Sequence, residues 1–272
     1  MDPTISGLLI TGACVAVTLV SIFVLRRLFS HELLQQNNEF LGFIYSVVGA
    51  VYGVYLAFTI IVVWEQFEQA DRTATSEAVR LSEAWRDVTV VSPPLRDALH
   101  DRLIAYASNV VRREWPSMAQ RTGADPETAK SYEDAWRALY DARAGVSTPT
   151  DLAFFNEAVR QMNELGMQRR LRILSAESSL PPIMWFLLIG GGVITVLFTF
   201  VIGTRHVWVQ ALASTALTAL IVLSLLLVAA LQHPFAGAVS VGPEAFESVL
   251  KSFADRQRAL REHDVTPVGN AR

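Results

Sequence analysis

The chain has 272 residues, of which 51% are hydrophobic and 18% are charged, and its formal net charge is −3. The absence of a basic surplus argues against nucleic-acid binding, and the lone cysteine, Cys14, excludes an intrachain disulfide. The charges are unevenly distributed, because residues 65–180 hold 18 of the 26 acidic and 15 of the 23 basic side chains, whereas four long stretches hold none. This segregation is typical of a membrane protein.

The four uncharged stretches are 5–25, 40–64, 180–204 and 207–232. Each exceeds the roughly 20 residues that a helix needs to cross about 30 Å of hydrocarbon. The alternative for the first stretch is a cleaved signal peptide, but no basic residue precedes it and Arg26-Arg27 follows it. The sequence therefore predicts an all-α integral membrane protein: a first transmembrane hairpin (1–64), a soluble helical domain (65–180), a second transmembrane hairpin (181–232) and a carboxyl-terminal segment (233–272).

The soluble domain is predicted to be a bundle of about four helices. The second span has no glycine or proline from Trp64 to Asp87, so it continues into the domain as one helix of about 48 residues, roughly 70 Å long. Apolar periodicity predicts further helices near 95–114, 126–144 and 150–179. A short amphipathic helix at about 243–262 and a frayed tail follow the last span.

Basic residues near the span ends set the predicted orientation. More of them lie on the side of the central domain than on the opposite side, and the positive-inside rule then places that domain and both termini in the cytoplasm. The first set is Arg72, Arg80, Arg169, Arg170, Arg172 and Lys251; the second is Arg26, Arg27 and Arg205.

No pattern in the chain indicates catalysis, a cofactor or a metal site. The five histidines are scattered singly, and Gly190-Gly191-Gly192 lies inside a span, where glycine usually permits close helix packing. An enzyme that acted inside the membrane would need acids, bases or histidines in the spans, and there are none. We therefore expect a protein that is not an enzyme.

The second span carries two distinctive lines of residues. Small residues form a ridge that permits close helix packing: Gly42, Ser46, Gly49 and Gly53. Hydroxyls, which lipid would leave unsatisfied, form a second line: Tyr45, Tyr52, Tyr55 and Thr59. This second line is expected to face protein or water, either as the lining of a narrow pore or as hydrogen-bonded contacts between helices.

Polar collars flank the second span. Asn37 and Asn38 precede it, and the acids Glu65, Glu68 and Asp71 follow it. In a symmetric oligomer these acids would form rings at the inner mouth of a pore; the alternative is a solvated helix surface whose acids pair with Arg72. The membrane-surface basic residues Arg169, Arg170 and Arg172 are expected to pair with these acids or to touch anionic lipid head groups.

Several motifs together resemble the bestrophin-like domain family, over nearly the whole chain. They are Gly42-Phe43, Gly49, Tyr52, Ala57-Phe58, Val63-Trp64-Glu65, Ala70, Glu77-Ala78, Tyr106, Glu114-Trp115-Pro116-Ser117-Met118, Arg169-Arg170-Leu171, Leu180-Pro181-Pro182, Trp185, Gln232-His233-Pro234-Phe235-Ala236-Gly237 and Val241-Gly242-Pro243. Glu-Trp-Pro combined with Pro-Phe-x-Gly is the specific part. Gln232 departs from the family pattern, in which an acid precedes His-Pro-Phe. If that acid binds an ion in relatives, we do not expect the same role in this chain.

The resemblance implies a bestrophin-like plan, with two spans, a helical domain and two more spans, in a bacterial inner membrane. It also implies a homo-oligomeric channel for inorganic ions, with membrane lipid as its surroundings. The acidic collar favours cations, whereas likeness to bestrophins, which conduct anions, favours anions. The alternative function is a membrane-anchored interaction or sensor protein whose helical domain docks a partner without conducting ions.

Overall fold

A computed structural model of the chain describes residues 3–28, 38–90, 93–202, 204 and 206–265. Every regular element in these ranges is helical. The α-helices are α1 (Pro3–Leu28), α2 (Asn38–Asp87), α3 (Pro93–Asn109), α4 (Trp115–Ala119), α5 (Pro126–Ala142), α6 (Pro149–Glu177), α7 (Pro182–Val201), α8 (Val207–Leu231) and α9 (Glu244–Val265). Short 3₁₀ turns cover Val88–Val90 and Arg143–Gly145, and one turn of π-helix, Val110–Glu114, joins α3 to α4.

Four of these helices, α1, α2, α7 and α8, are long and apolar enough to cross a membrane, and they have 20 to 50 residues each. Many of their large apolar side chains are exposed, among them Phe186, Trp208 and Leu212. Exposed aliphatic and aromatic surface on this scale is stable in lipid and not in water. The prediction of an all-α, four-span membrane protein is confirmed. The chain is a multi-pass membrane protein.

The described residues form two compact units. The membrane unit contains those up to Phe67 together with Ser179–His233 and Gly237–Val239, and the soluble unit contains Glu68–Ser178, Pro234–Ala236 and the residues from Ser240 onward. Helix α2 has 50 residues, about 75 Å at 1.5 Å per residue, and runs without interruption from one unit into the other. The predicted continuity of the second span is thus a structural fact.

In the membrane unit, α1 packs along α8 rather than along α2, its neighbour in sequence. Thr18 of α1 and Thr218 of α8 share a buried hydrogen bond of 3.1 Å. Near the end of α1, the Arg26 guanidinium donates to Gln210 Oε1 at 2.8 Å and to the Thr204 carbonyl at 2.7 Å. The Gln210 amide in turn donates to the Thr199 carbonyl at 2.9 Å, so these side chains satisfy carbonyls left free where α7 ends.

The soluble unit is held by one apolar stripe per helix, with capped helix ends. An apolar stripe on α2 is buried from Ala70 through Leu81 to Trp85. Helix α6 begins with a capping box, in which Thr148 and Asp151 satisfy each other's backbone amides. The Asp125 carboxylate caps α5 by accepting from the Thr128 amide at 2.8 Å. The carboxyl-terminal helix α9 belongs to this unit through Phe246 and Phe253, both fully buried.

Candidate functional site: the second span and a buried charge cluster

Helix α2 has a packed face in the membrane unit. The Tyr52 hydroxyl donates to the Leu188 carbonyl at 3.1 Å, and the Tyr55 hydroxyl donates to the Met184 carbonyl at 3.1 Å. Both carbonyls belong to α7. Hydroxyls at membrane depth need a partner inside the protein, and these two have one. The sequence left two roles open for these hydroxyls, the lining of a pore and hydrogen-bonded contacts between helices. In the structure, Tyr52 and Tyr55 make hydrogen-bonded contacts between helices.

Glycines of α7 make room for the Tyr52 ring. A Cβ atom on Gly191 would lie 2.5 Å from Tyr52 Cδ2, and one on Gly192 would lie 2.9 Å from the Tyr52 hydroxyl. A Cβ on Gly190 would meet nothing within 4 Å. Small residues let membrane helices approach closely, and here they admit an aromatic side chain from α2.

The other predicted hydroxyl residues also lie toward the packed side. The Tyr45 ring lies 6.4 Å from the Phe198 ring of α7, centroid to centroid. Thr59 is buried, and its hydroxyl donates to the Tyr55 carbonyl at 2.9 Å, one turn back in the same helix. The line of hydroxyls therefore faces protein within the protomer.

The small-residue ridge of α2 is open. A Cβ on Gly42, Gly49 or Gly53 would meet nothing within 4 Å among the described residues. Ser46 is exposed, and its hydroxyl donates to the Gly42 carbonyl at 2.8 Å. Large apolar side chains extend this open face around the helix, and all of them are exposed: Phe43, Val47, Val51, Val54 and Phe58.

The predicted inner-mouth acids are exposed along the middle of α2. Glu65 and Asp71 are solvent-accessible, and Glu68 pairs with Arg72 at 2.7 Å, with both side chains largely exposed. Such a pair contributes at most about 1 kcal/mol to stability. Of the predicted outer collar, Asn38 is the first residue of α2 and Asn37 lies outside the described residues.

The prediction that Arg172 lies at the membrane surface is wrong. Its side chain is 0% exposed, and its guanidinium donates to Glu77 at 2.6 Å and to Glu114 at 2.6 Å. Tyr106 donates its hydroxyl to the same Glu77 carboxylate at 2.5 Å, and Arg169 donates to Glu114. We call these five residues the charge cluster. Two carboxylates and two guanidiniums balance in charge there, as burial of ions requires.

The position of Glu114 in the charge cluster depends on local backbone geometry. It is the last residue of the π-helical turn that joins α3 to α4, and Trp115 follows it directly. A π turn inserts one extra residue into a helix and re-aims the side chains around it. This geometry places a carboxylate among buried groups at the end of an otherwise regular α3.

The pKa values in the charge cluster follow from burial and from the paired charges. Burial by itself would lower the pKa of Arg172, but Glu77 and then Glu114 outweigh it and raise that pKa above its ordinary value. Burial also raises the pKa of the Tyr106 hydroxyl well above its usual range, and the Glu77 carboxylate adds to the effect. Tyr106 is therefore a permanent hydrogen-bond donor, and the guanidinium of Arg172 is permanently charged.

Aromatic side chains enclose the charge cluster. The Arg172 guanidinium lies 5.0 Å from the Trp115 ring centroid, and the Trp115 indole donates to the Val241 carbonyl at 3.0 Å. Phe235 meets the Trp115 ring edge-on at 5.7 Å. Two motifs far apart in sequence, Glu-Trp-Pro and Pro-Phe-x-Gly, thus pack on each other within the soluble unit.

Sequence reasoning named Glu77, Tyr106 and Glu114 only as family motifs and gave none of them a role in a site. A signal for Glu77 was present, because it lies between Ala74 and Leu81 on the buried stripe of α2. Of the three predicted surface arginines, only Arg170 is exposed, since Arg169 is mostly buried against Glu114.

Two further features bear on ion and metal binding. The Trp185 indole donates to Gln232 Oε1 at 3.0 Å, so the residue that replaces the expected acid serves as a hydrogen-bond acceptor in the membrane unit. Among the described residues, no group of three or more histidine, cysteine, aspartate or glutamate side chains is close enough to hold a metal ion.

These features define a multi-pass helical membrane protein in which one very long helix extends from the membrane into a soluble helical unit. The chain belongs to the bestrophin-like domain family, which matches residues 12–246. Among solved structures it is similar to a bacterial bestrophin homologue from Klebsiella pneumoniae. A single-residue variant of that homologue has a TM-score of 0.67 at 13% identity, over 90% of this chain and 98% of that chain. The same homologue solved with zinc phasing has a TM-score of 0.65 at 16% identity, over 89% and 96%. No curated protein sequence matches.

Proposed function

We propose that the protein is a homo-oligomeric ion channel whose α2 helices surround the conduction pathway. The observation that carries the proposal is the asymmetry of α2. One face is bonded to α7, whereas a Cβ atom on Gly42, Gly49 or Gly53 would meet no atom within 4 Å in the part of the chain that the structure describes. Glycines lower helix stability, and a face of them without such contacts is explained if other copies of the chain pack on it. Family membership and the bestrophin-homologue fold support the same function by analogy.

In this proposal the seven predicted pore residues divide into two groups. Ser46, Gly49 and Gly53 lie on the face that lines the pathway or meets the neighbouring α2. The remaining four are pore-adjacent and hold α2 against α7 or within its own helical turns: Tyr45, Tyr52, Tyr55 and Thr59. Lining by small and apolar residues gives a narrow pathway whose conductance depends on hydration.

The charged residues next to the membrane would set the field at the pore mouths. Glu65, Glu68 and Asp71 form the inner mouth, Asn37 and Asn38 form the outer collar, and the soluble unit forms a vestibule. The permeant species are inorganic ions, and the sign of the reversal potential decides between cations and anions. The chain resides in a bacterial plasma membrane, with the soluble unit and both termini in the cytoplasm, as the distribution of arginines favours.

The test combines electrical recording with cysteine accessibility. Purified protein in planar bilayers is recorded over a range of voltages and calcium concentrations, in a Cys14→Ser background that removes the only native cysteine. Gly53→Cys on the open face should be blocked by a charged methanethiosulfonate reagent. Thr59→Cys is the matched control, because its side chain is buried in the protomer, and its current should be unaffected.

Selectivity is tested in the same recordings. Combined Glu65→Gln and Glu68→Gln should shift the reversal potential under a salt gradient, because two exposed acids per protomer are neutralised. A well-folded oligomer without current at any voltage or calcium concentration would contradict the proposal. A monomeric protein would favour the anchored interaction or sensor function instead.

A further inference from the structure

The last turns of α6 carry an apolar stripe on their exposed side. Met167, Leu171 and Leu174 are 41%, 42% and 61% exposed. Their spacing of four and three residues places them on one face of the helix. The other face, with Leu165 and Arg172, is buried in the soluble unit. Three large apolar side chains therefore point away from the protein.

Chain connectivity keeps this stripe near the membrane helices. Helix α6 ends at Glu177, and Leu180 already belongs to a buried cluster with Leu188 and Val228 of the spanning helices. Three helical residues cover about 5 Å, and three extended residues cover at most about 10 Å. Leu174 therefore lies within roughly 15 Å of Leu180, where the chain enters the membrane unit.

An exposed cation, Arg170, lies on the same helix as the stripe. Arg170 is exposed and has no ion pair among the described residues, whereas the guanidiniums of Arg169 and Arg172 on the same helix are held by carboxylates. A long cationic side chain beside apolar ones is the composition of segments that lie at a bilayer surface. There the stem contacts hydrocarbon and the charge contacts phosphate.

We propose that the carboxyl-terminal part of α6 is a lipid-binding segment at the bilayer surface. Met167, Leu171 and Leu174 contact the boundary between head groups and acyl chains, and Arg170 binds the phosphate of an anionic lipid. The segment is independent of the proposed conduction pathway, because it requires neither an oligomer nor a pore. Of the three arginines that the sequence predicts at the membrane surface, this proposal keeps only Arg170. It adds an apolar contact with the bilayer that the sequence did not suggest.

The apolar part of the proposal is tested with an environment-sensitive fluorophore. Leu174→Cys is labelled in the Cys14→Ser background of the full chain, in nanodiscs that contain a phospholipid spin-labelled near the head group. The control is Asn163→Cys, which lies on the same exposed side about 16 Å further from the membrane end of α6. We expect the lipid probe to quench the Leu174 label at least threefold more than the Asn163 label, and aqueous iodide to show the reverse order.

The charge is tested by exchanging the lipid. Raising the phosphatidylglycerol fraction of the nanodisc should increase quenching at Leu174, and Arg170→Gln should abolish that increase. Arg160→Gln, at an exposed arginine of the same helix paired with Glu157, should leave it intact. Equal lipid quenching at both label positions would overturn the proposal. Protection of the Leu174 label from both quenchers would also overturn it, because protein, such as a second copy of the chain, would then cover the stripe.

Discussion

Buried polar groups have different kinds of partners in the membrane unit and in the soluble unit. In the membrane unit, hydroxyls bond to backbone carbonyls or to each other, as Tyr52 bonds to Leu188 and Thr18 to Thr218. In the soluble unit, two carboxylates and two guanidiniums are taken out of water together. Lipid offers no hydrophobic drive to offset desolvated charge, whereas an apolar core in water does. We therefore expect the soluble unit to be destabilised most by the loss of a paired charge, and the membrane unit by the loss of close helix packing.

The largest effect is expected from Arg172→Gln in the charge cluster. It leaves the buried Glu77 without a counter-charge and leaves Glu114 with Arg169 alone, and breaking such a buried pair costs about 3–5 kcal/mol. The measurement is guanidinium unfolding of the detergent-solubilised protein, followed by tryptophan fluorescence. Arg170→Gln, two residues away and exposed, is the matched control and should change the free energy of unfolding by less than about 0.5 kcal/mol.

A rescue variant separates charge from packing in this experiment. Arg172→Met combined with Glu77→Gln removes one charge of each sign, keeps similar volumes and leaves Glu114 paired with Arg169. If unpaired charge is the cause, this double variant recovers more than half of the stability that Arg172→Gln loses. Equal stability of the Arg172→Gln and Arg170→Gln proteins would refute the assignment of the cluster.

Acid should weaken the soluble unit through His100. This side chain is buried, stacks on Trp85 with 3.8 Å between ring centroids, and its Nε2 lies 2.8 Å from the Trp85 carbonyl. Trp85 also stacks on Phe253 of α9, at 5.0 Å. Burial lowers the pKa of His100 to about 4, although the hydrogen bond to the Trp85 carbonyl opposes that change. The neutral ring is therefore part of the packing that holds α9.

The sign of the pH effect follows from that depressed pKa. An unfolded histidine has a pKa of about 6.5, so the unfolded chain binds a proton first, and stability is lost as the pH falls from about 6.5 toward 4. At pH 5 the loss is about 2 kcal/mol, measured as the change in unfolding free energy between pH 8 and pH 5. His100→Gln removes the titration and should flatten this profile. An unchanged slope in that variant would assign the acid sensitivity to other groups.

Particular residues show what the sequence could predict. The four spans and the continuity of α2 followed from charge-free stretches and from the absence of glycine and proline between Trp64 and Asp87. The run of Arg169, Arg170 and Arg172 predicts a basic membrane surface, but this grouping ignores the helical phase of Arg172. Its helical phase, seven residues after the buried Leu165, placed it on the core face and Arg170 on the exposed face.

Other features had no local signal. The packing of α1 along α8 could not be predicted, because spans that are apolar all round do not reveal which side meets protein and which meets lipid. The same ambiguity left two roles open for the hydroxyls of α2. Only the position of Tyr52 against Gly191 in three dimensions decided between them for that residue.

The smallest effect comes from neighbouring glycines in the membrane unit, where shape rather than charge is predicted to control stability. Gly191→Ala would bring a methyl group within 2.5 Å of the Tyr52 ring, so α2 and α7 must separate or the ring must turn. Overpacking usually costs about 1–3 kcal/mol, and we expect about 1 kcal/mol here, because the Tyr52 ring can turn to relieve the contact. Gly190→Ala adds the same methyl group where nothing lies within 4 Å and should be neutral. The measurement is unfolding in mixed detergent micelles with increasing SDS. If Gly191→Ala and Gly190→Ala unfold at the same SDS fraction, the close contact between α2 and α7 is not what holds the two helices together. The distinction between a packed and an open face of α2 would then not be supported.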